Sequence, residues 1–484
     1  MIRRNIYKWH RKLSIVALVP VLLWTLSGVM HPLMSNFKPE LAKKFLIPKP
    51  LNTAQVQLDL DSVLTQNNIE SFQNFRFVNY DNQLYYQLRI EGNHELMYFH
   101  AQTGAFLPNG DQLYAKQLAY TFAGENAGEV KDISVVTSFD HEYVEISRLL
   151  PAYRIAFNRA DGLIVFVDTS SDRLGSATND LRITFQKIFK WAHSWEFLNV
   201  SVPLRISVMI FFAITALLAS ISGVLVYGVM WENIKKSRGT ATRKWHRNLG
   251  LLMSFALLMF ACSAIAHMLP KYNEFDRSKF NNHQTYQSEN IDFSVLEALS
   301  DSTIAVTNLS LAEFNGETYL QRFEKKGRKV EKRYFNINTK KELENGDQAY
   351  AVFLANTYGN HTTKEVVSVN PIFKFEHEYG FINKLLPVQK VQYKGTGNER
   401  LYVETATGRL GAKIEDSAAF SGFLFAYFHK YHFLDFMGKV TRDSIMSFFA
   451  LGNFLVAFLG LIMLLKKPKA KKRAIKEKKN VVYN

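Results

Sequence analysis

The sequence predicts a membrane protein, an α-helical bundle of four spans carrying two large exported α+β regions, with an internal duplication of period 236. Three observations carry this reading. Four long stretches, 13–34, 206–231, 249–270 and 444–465, contain no Asp, Glu, Lys or Arg. A shift of 236 carries Lys8-Trp9-His10-Arg11-Lys12-Leu13 onto Lys244-Trp245-His246-Arg247-Asn248-Leu249. The same shift takes His31 to His267, His141 to His377, Pro151 to Pro387, His193 to His429 and Arg173-Leu174-Gly175 to Arg409-Leu410-Gly411. Finally, positive charge gathers in three short segments that flank the uncharged stretches.

About 20 apolar residues cover the ~30 Å hydrocarbon core of a bilayer, and each stretch is long enough. The first, 13–34, is too long for the apolar region of a signal peptide. It also lacks a small-residue cleavage site, so it reads as a retained helix. The period is far longer than the ~20–50 residues of solenoid repeats and suits duplication of a whole membrane module. Residues 35–205 and 271–443 then form the exported regions, with 206–231, 249–270 and 444–465 as the later spans.

The net charge of +16 is concentrated. Residues 1–12 hold five Lys/Arg and no acid, the linker 232–248 six and one acid, and the tail 466–484 nine and one acid. These basic segments belong in the cytoplasm by the positive-inside rule, which places both termini there. Contact with anionic lipid accounts for the basic tail without nucleic acid as a partner. The only cysteine, Cys262, lies within the third span and reads as a packing residue. The exported regions therefore have no disulfide framework, and without a C-x-x-C-H there is no covalently attached c-type haem.

Each exported region reads as α+β. Residues 82–90 and 96–100 alternate as a half-buried strand pair, with Gly92-Asn93 as the turn. A second pair, 152–158 and 163–168, is joined through Asp161-Gly162, a strong hairpin signal. Apolar helical patterns precede the pairs at 58–66 and 113–122, and the second half repeats strands near 333–337 and 400–404. The strand–turn units close on Thr103-Gly104 and Thr407-Gly408, where glycine permits a left-handed turn.

The histidines carry the chemistry. His10 and His31 are 21 residues apart, as are His246 and His267. At helical rise that is ~32 Å, about one bilayer core, and the two lie within ~60° of one helix face. Each odd span thus has one histidine near the cytoplasmic surface and one near the outer surface. His193 and His429 precede the even spans, and Pro203 keeps His193 near the outer side. Histidines on facing helices can hold a flat porphyrin between them as axial ligands. His10 and His246 would share one haem b on the inner side. On the outer side two arrangements stay open: one haem between His31 and His267, or two haems, each between one of these and His193 or His429. Two or three haems follow.

Other readings compete. Trp-His at a span boundary also describes an interfacial aromatic belt, and imidazole suits Zn, Cu or Ni as well. A proton path is disfavoured because no acid lies within the uncharged stretches. Arg11, Arg247 and Arg205 flank the histidines and suit haem propionates, or serve as orientation signals. Ser27-Gly28 and Ser263-Ala264, one turn before His31 and His267, give room to a porphyrin or permit close helix packing. His141 and His377 fit a structural role better than a substrate or metal surface. His432 faces Glu196 across the repeat and ranks below His429. Trp191, Trp195 and Tyr431 line an outer pocket or anchor at the interface.

The strand–turn units ending in Thr-Gly resemble the PepSY domain, a small exported α/β module. With the four spans and the Trp-His-Arg openings, the chain over roughly 1–470 resembles the PepSY-associated transmembrane family. That resemblance implies a bacterial inner-membrane protein and, for some members, haem-b reduction of ferric siderophores. The expectation is therefore a haem-b oxidoreductase that passes electrons from the cytoplasmic side or the quinone pool to a periplasmic ferric compound, a ferric siderophore by resemblance. No G-x-G-x-x-G follows a predicted strand, so the electron donor lies outside the chain. The alternatives are a non-enzymatic, membrane-anchored PepSY binding or inhibitory module and a transporter for iron or haem.

Overall fold

A computed structural model describes residues 2–92, 95–232, 239–273, 280–281, 284–290, 304–327, 329–375, 378–395 and 397–466. Asn93, His377, linker residues 233–238 and tail residues 467–484, all named above, lie outside the described residues. The chain divides into two compact units, one made of 1–37, 181–274 and 418–484, the other of 38–180 and 275–417.

The first unit contains four helices long and apolar enough to cross a membrane: Asn5–Asn36, Val202–Val229, Ala241–Tyr272 and Lys439–Leu465. Span 1 packs against spans 2 and 4, and span 3 packs against the same two. The facing surfaces are small, with Ala17, Ala213, Ala216, Ala256 and Ala450 buried. A Cβ added to Gly452 would lie 2.4 Å from Met253 Sδ, so glycine there sets the approach of spans 3 and 4. Ile15, Val19, Phe255 and Leu455 stay exposed on the outer faces, where lipid would cover them.

The helices run past the uncharged stretches. Span 1 is interrupted after Gly28, yet Val29 keeps helical dihedrals (φ −66°, ψ −22°) before Met30–Asn36. Span 2 begins with Ser201 as its cap and Pro203 in the first turn, where the missing N–H is not needed. Span 4 starts at Lys439, which corrects the expectation that no acid lies within the spans. Asp443 is inside the helix and only 6% exposed. It is tolerated there because Lys439 Nζ (2.9 Å) and Arg442 Nη2 (3.0 Å) both donate to it. Before span 2 lies the helix Asp180–Ala192. Before span 4, the helix Asp416–Leu424 runs into a π-helical turn, Phe425–His429.

The second unit is α+β, as expected. Its strands are β1 (Ser71–Phe72), β2 (Asn74–Tyr80), β3 (Gln83–Arg89), β4 (Met97–His100), β5 (Val130–Val136), β6 (Ala152–Phe157), β7 (Ile164–Asp168) and β8 (Arg173–Thr178). They continue as β9 (Tyr286–Gln287), β10 (Val306–Phe314), β11 (Glu317–Lys326), β12 (Lys329–Asn336), β13 (Val366–Ile372), β14 (Val388–Tyr393), β15 (Arg400–Glu404) and β16 (Arg409–Ile414). Four sheets are antiparallel meanders, β2-β3-β4, β5-β6-β7-β8, β10-β11-β12 and β13-β14-β15-β16, and β1 pairs antiparallel with the distant β9. The expected first pair is β3–β4, with Tyr85 opposite His100. The second is β6–β7, turned through Gly162 at φ +67°. A bulge between Phe166 and Val167 has its counterpart between Tyr402 and Val403, and the peptide bonds Leu150-Pro151 and Leu386-Pro387 are both cis.

One apolar core joins Phe72, Phe75 and Tyr86 to Leu309, Leu311 and Leu320. Asn308 locks the two segments by accepting from Phe77 N (2.8 Å) and donating to Phe77 O (3.1 Å). Two buried ion pairs cross in opposite directions. Arg173 donates to Glu404, and Arg409 donates to Asp168 at 2.7 Å. Burial alone would raise Asp168, but Arg409 and the Ser170 and Ser171 hydroxyls hold it well below the usual carboxylate range. Glu404 is lowered against the same burial cost by Arg173 and Thr407.

Candidate cofactor site

Four histidines of the membrane unit share one feature, in which Nδ1 meets an oxygen that can only accept. His10 Nδ1 lies 3.1 Å from Ala219 O and 3.3 Å from Ser222 Oγ of span 2. His246 Nδ1 lies 2.9 Å from Val456 O of span 4. A carbonyl has no proton to give, so both imidazoles carry theirs on Nδ1.

His193 Nδ1 lies 3.2 Å from Ser27 Oγ and 3.2 Å from Trp24 O, and His429 Nδ1 lies 3.1 Å from Ser263 Oγ. Each serine has already committed its single proton, Ser27 to Leu23 O (2.6 Å) and Ser263 to Met259 O (2.7 Å). Both hydroxyls therefore accept from the imidazole. The hydrogen-bond network thus assigns all four histidines the Nδ1–H tautomer, with the lone pair on Nε2. Among the described residues, nothing bonds Nε2 in any of the four. This is how proteins orient imidazole for a metal: the far nitrogen donates to a carbonyl or hydroxyl and the near one faces the ion.

Pairing follows from the packing. His10 on span 1 bonds the Ala219 carbonyl of span 2, and His246 on span 3 bonds the Val456 carbonyl of span 4, so the two occupy matching places in the two halves of the bundle. The rings of His193 and His429 are 6.2 Å apart, at 79° to each other. This last pairing is neither of the two outer arrangements that the sequence left open. His31 is exposed and neighbours Phe189 (6.3 Å), which stacks on His193 (4.6 Å). Phe425 is stacked on both His267 (4.0 Å) and His429 (4.9 Å). An aromatic ring thus occupies the place where each span histidine would meet its pre-span partner.

The remaining expectations separate. Arg247 has a buried Nε with no hydrogen-bond partner, an orphaned donor one residue after His246. Arg11 is exposed and Arg205 is half-buried, and neither forms an ion pair among the described residues. Trp195 is 4% exposed and stacks on Trp24 (5.0 Å), while Tyr431 is 2% exposed and stacks on Phe260 (5.5 Å). Both are packing residues, whereas Trp191 stays exposed. His141 is exposed beside a turn made by Asp140, which accepts from the backbone of Glu142 and Tyr143. His432 belongs to an ion cluster, with Nδ1 2.8 Å from Asp435, and Arg442 bridges that carboxylate to Asp443.

The sequence reading gave one group of residues another role and missed one residue. Ser27 and Ser263 orient imidazoles rather than simply making room. Lys430 lies within charge range of His31, His267 and His429 and stands 5.3 Å over the Phe425 ring, with no ion pair among the described residues. The repeat could have flagged it, since its counterpart is Ser194.

These residues fit a b-type haem: paired imidazoles with free Nε2, and unpartnered cations beside them. No protein-family model matches this chain, and no curated protein does.

Proposed function

We propose that the chain is a haem-b membrane oxidoreductase that passes electrons from the cytoplasmic side or the quinone pool to an exported ferric compound. In this reading the chain is a duplicated PepSY-associated transmembrane protein of a bacterial inner membrane. Its termini are cytoplasmic, its exported regions periplasmic, and its acceptor a ferric siderophore. The observation that supports it best is the shared tautomer of His10, His246, His193 and His429.

His10 and His246 would hold one haem, and His193 and His429 another. Bound haem supplies one-electron redox chemistry. The chain supplies the rest. The carbonyls of Ala219 and Val456 and the hydroxyls of Ser27 and Ser263 fix the ligand rings and raise their basicity. Arg247 and Lys430 offer cations to carboxylates, and the apolar spans keep water out. One electron converts ferric to ferrous iron, which holds hard oxygen ligands less tightly and so leaves its chelator.

The test is an absorption spectrum of the detergent-purified chain, oxidised and dithionite-reduced, with a pyridine haemochrome count. A b-type spectrum with two haems per chain is the expected result, and His10→Ala should leave one. A colourless protein from haem-replete cells overturns the reading in favour of an anchored binding module.

A further inference from the structure

The exported unit contains the same polar nest twice, once filled and once open. In the second half Asp347 sits in the first turn of the helix Gly346–Gly359. It accepts from Tyr334 OH (2.9 Å), Gln389 Nε2 (2.6 Å) and Thr405 Oγ1. The centre is occupied by the Lys332 ammonium, 5% exposed, which lies 3.3 Å from Asp347 and donates to Thr405 Oγ1. Burial alone would raise Asp347, but Lys332 and the three donors hold it low.

Positions 236 earlier keep Asp111, Tyr98 and Thr169, but Lys332 becomes Leu96 and Gln389 becomes Tyr153. Asp111 accepts from Tyr98 OH (2.9 Å) and from the Leu96 backbone (3.0 Å), with the Thr169 and Tyr153 hydroxyls turned toward it, and among the described residues no cation forms an ion pair with it. A small cleft opens where the ammonium would stand, lined by Arg89, Leu96, Asp111, Tyr153, Asp168 and Thr169. Tyr153 is 5% exposed, and its buried hydroxyl turns toward Asp111, whose charge it feels, without a well-formed hydrogen bond to any other group among the described residues. Burial pushes the Asp111 carboxyl up, as expected for an acid that has lost its counter-ion.

We propose that this cleft binds the primary ammonium group of an exported ligand, in the position that Lys332 Nζ fills in the second half. A primary ammonium has three N–H donors, and Asp111, the Tyr153 hydroxyl and Thr169 supply three acceptors. Asp168 does not compete, because Arg409, Ser170 and Ser171 already engage it. Arg89 lines one wall within charge range of Asp111 and Asp168. It disfavours a second cation and leaves room for an acceptor group beside the ligand's amine. This site is independent of the histidines and of the haem reading.

The experiment follows melting temperature and calorimetric binding of the full chain in detergent, with methylammonium, tetramethylammonium and acetate at constant ionic strength. Methylammonium should bind and raise the melting temperature, whereas tetramethylammonium, which has no N–H, should not. Leu96→Lys should fill the cleft with its own ammonium, melt higher than the parent and lose the methylammonium response. Asp111→Asn should abolish binding, and Tyr153→Phe should weaken it by about threefold to tenfold. Equal methylammonium responses in the parent and Leu96→Lys, or stabilisation by acetate alone, overturn the proposal. Should Leu96→Lys fail to fold, Tyr153→Phe decides, and an unchanged affinity overturns it.

Discussion

A neutral imidazole offers a metal whichever nitrogen its proton does not occupy, so the atom that receives the proton decides what the histidine can do. At His193 and His429 that atom is a serine oxygen with its own proton already given to a helix carbonyl. Ser27→Ala and Ser263→Ala should each lower haem affinity about 10- to 100-fold, measured by titrating haem into the apo-protein. Ser222→Ala should cost less, because the Ala219 carbonyl still accepts from His10. The histidines themselves test the pairing. His193→Ala should lower the haem count by one, while His31→Ala, beyond the Phe189 ring, should leave it unchanged. Equal losses from both would sink the His193–His429 pair. The sequence exposed these six histidines through the repeat and set His10 with His246, but not which of the other four meet. Pairing depends on side-chain direction, and Phe189 and Phe425 intervene at positions that carry only an apolar signal.

At the scale of elements, the crossed pairs Arg173–Glu404 and Arg409–Asp168 tie β8 to β15 and β16 to β7. Both carboxylates titrate below their ordinary values near pH 4, so their stabilisation is fully present above that range. It is lost as pH falls through the lower folded-state values. The α+β unit should therefore melt at a nearly constant temperature from pH 7 to about 5 and lose stability progressively below about 4. Glu404→Gln leaves Arg173 buried without its counter-charge and should cost about 3–5 kcal/mol at pH 7, with a shallower acid limb in circular dichroism melts. Strands rich in apolar and aromatic residues beside Gly-containing turns, such as β3 and β6, were legible from the sequence, although they are buried almost throughout rather than alternating. β5 was not, because its residues are half-buried or exposed throughout and give no period-two contrast. The ends of span 4 were misjudged for a different reason. Charge was taken to end the helix, but Asp443 is neutralised by Lys439 and Arg442 on its own helix face, so the helix continues through it. Lys430 escaped because attention went to residues the repeat preserves, and its counterpart is Ser194.

For the whole molecule, the arrangement of the spans makes a prediction that neither pair of histidines makes alone. His10 and His246 sit near one end of the bundle, and His193 and His429 belong to the segments that lead into spans 2 and 4 from the other. A protein built to move electrons across a bilayer needs both, whereas one that reduces and reoxidises at a single face needs only one. Proteoliposomes loaded with a reductant and facing an external, membrane-impermeant ferric chelate separate these cases. The intact chain should release ferrous iron outside, read by a ferrous-specific chromophore. His10→Ala and His193→Ala should each reduce that rate to the level of empty vesicles. A dithionite-reduced spectrum should still show the retained haem in both variants, which separates a broken path from an unfolded protein. If His10→Ala keeps the full rate from inside, electrons enter within the outer half of the bilayer, as from a quinol, and the inner pair serves another purpose. If neither variant changes the rate, transmembrane transfer through these histidines is wrong, however many haems the chain binds.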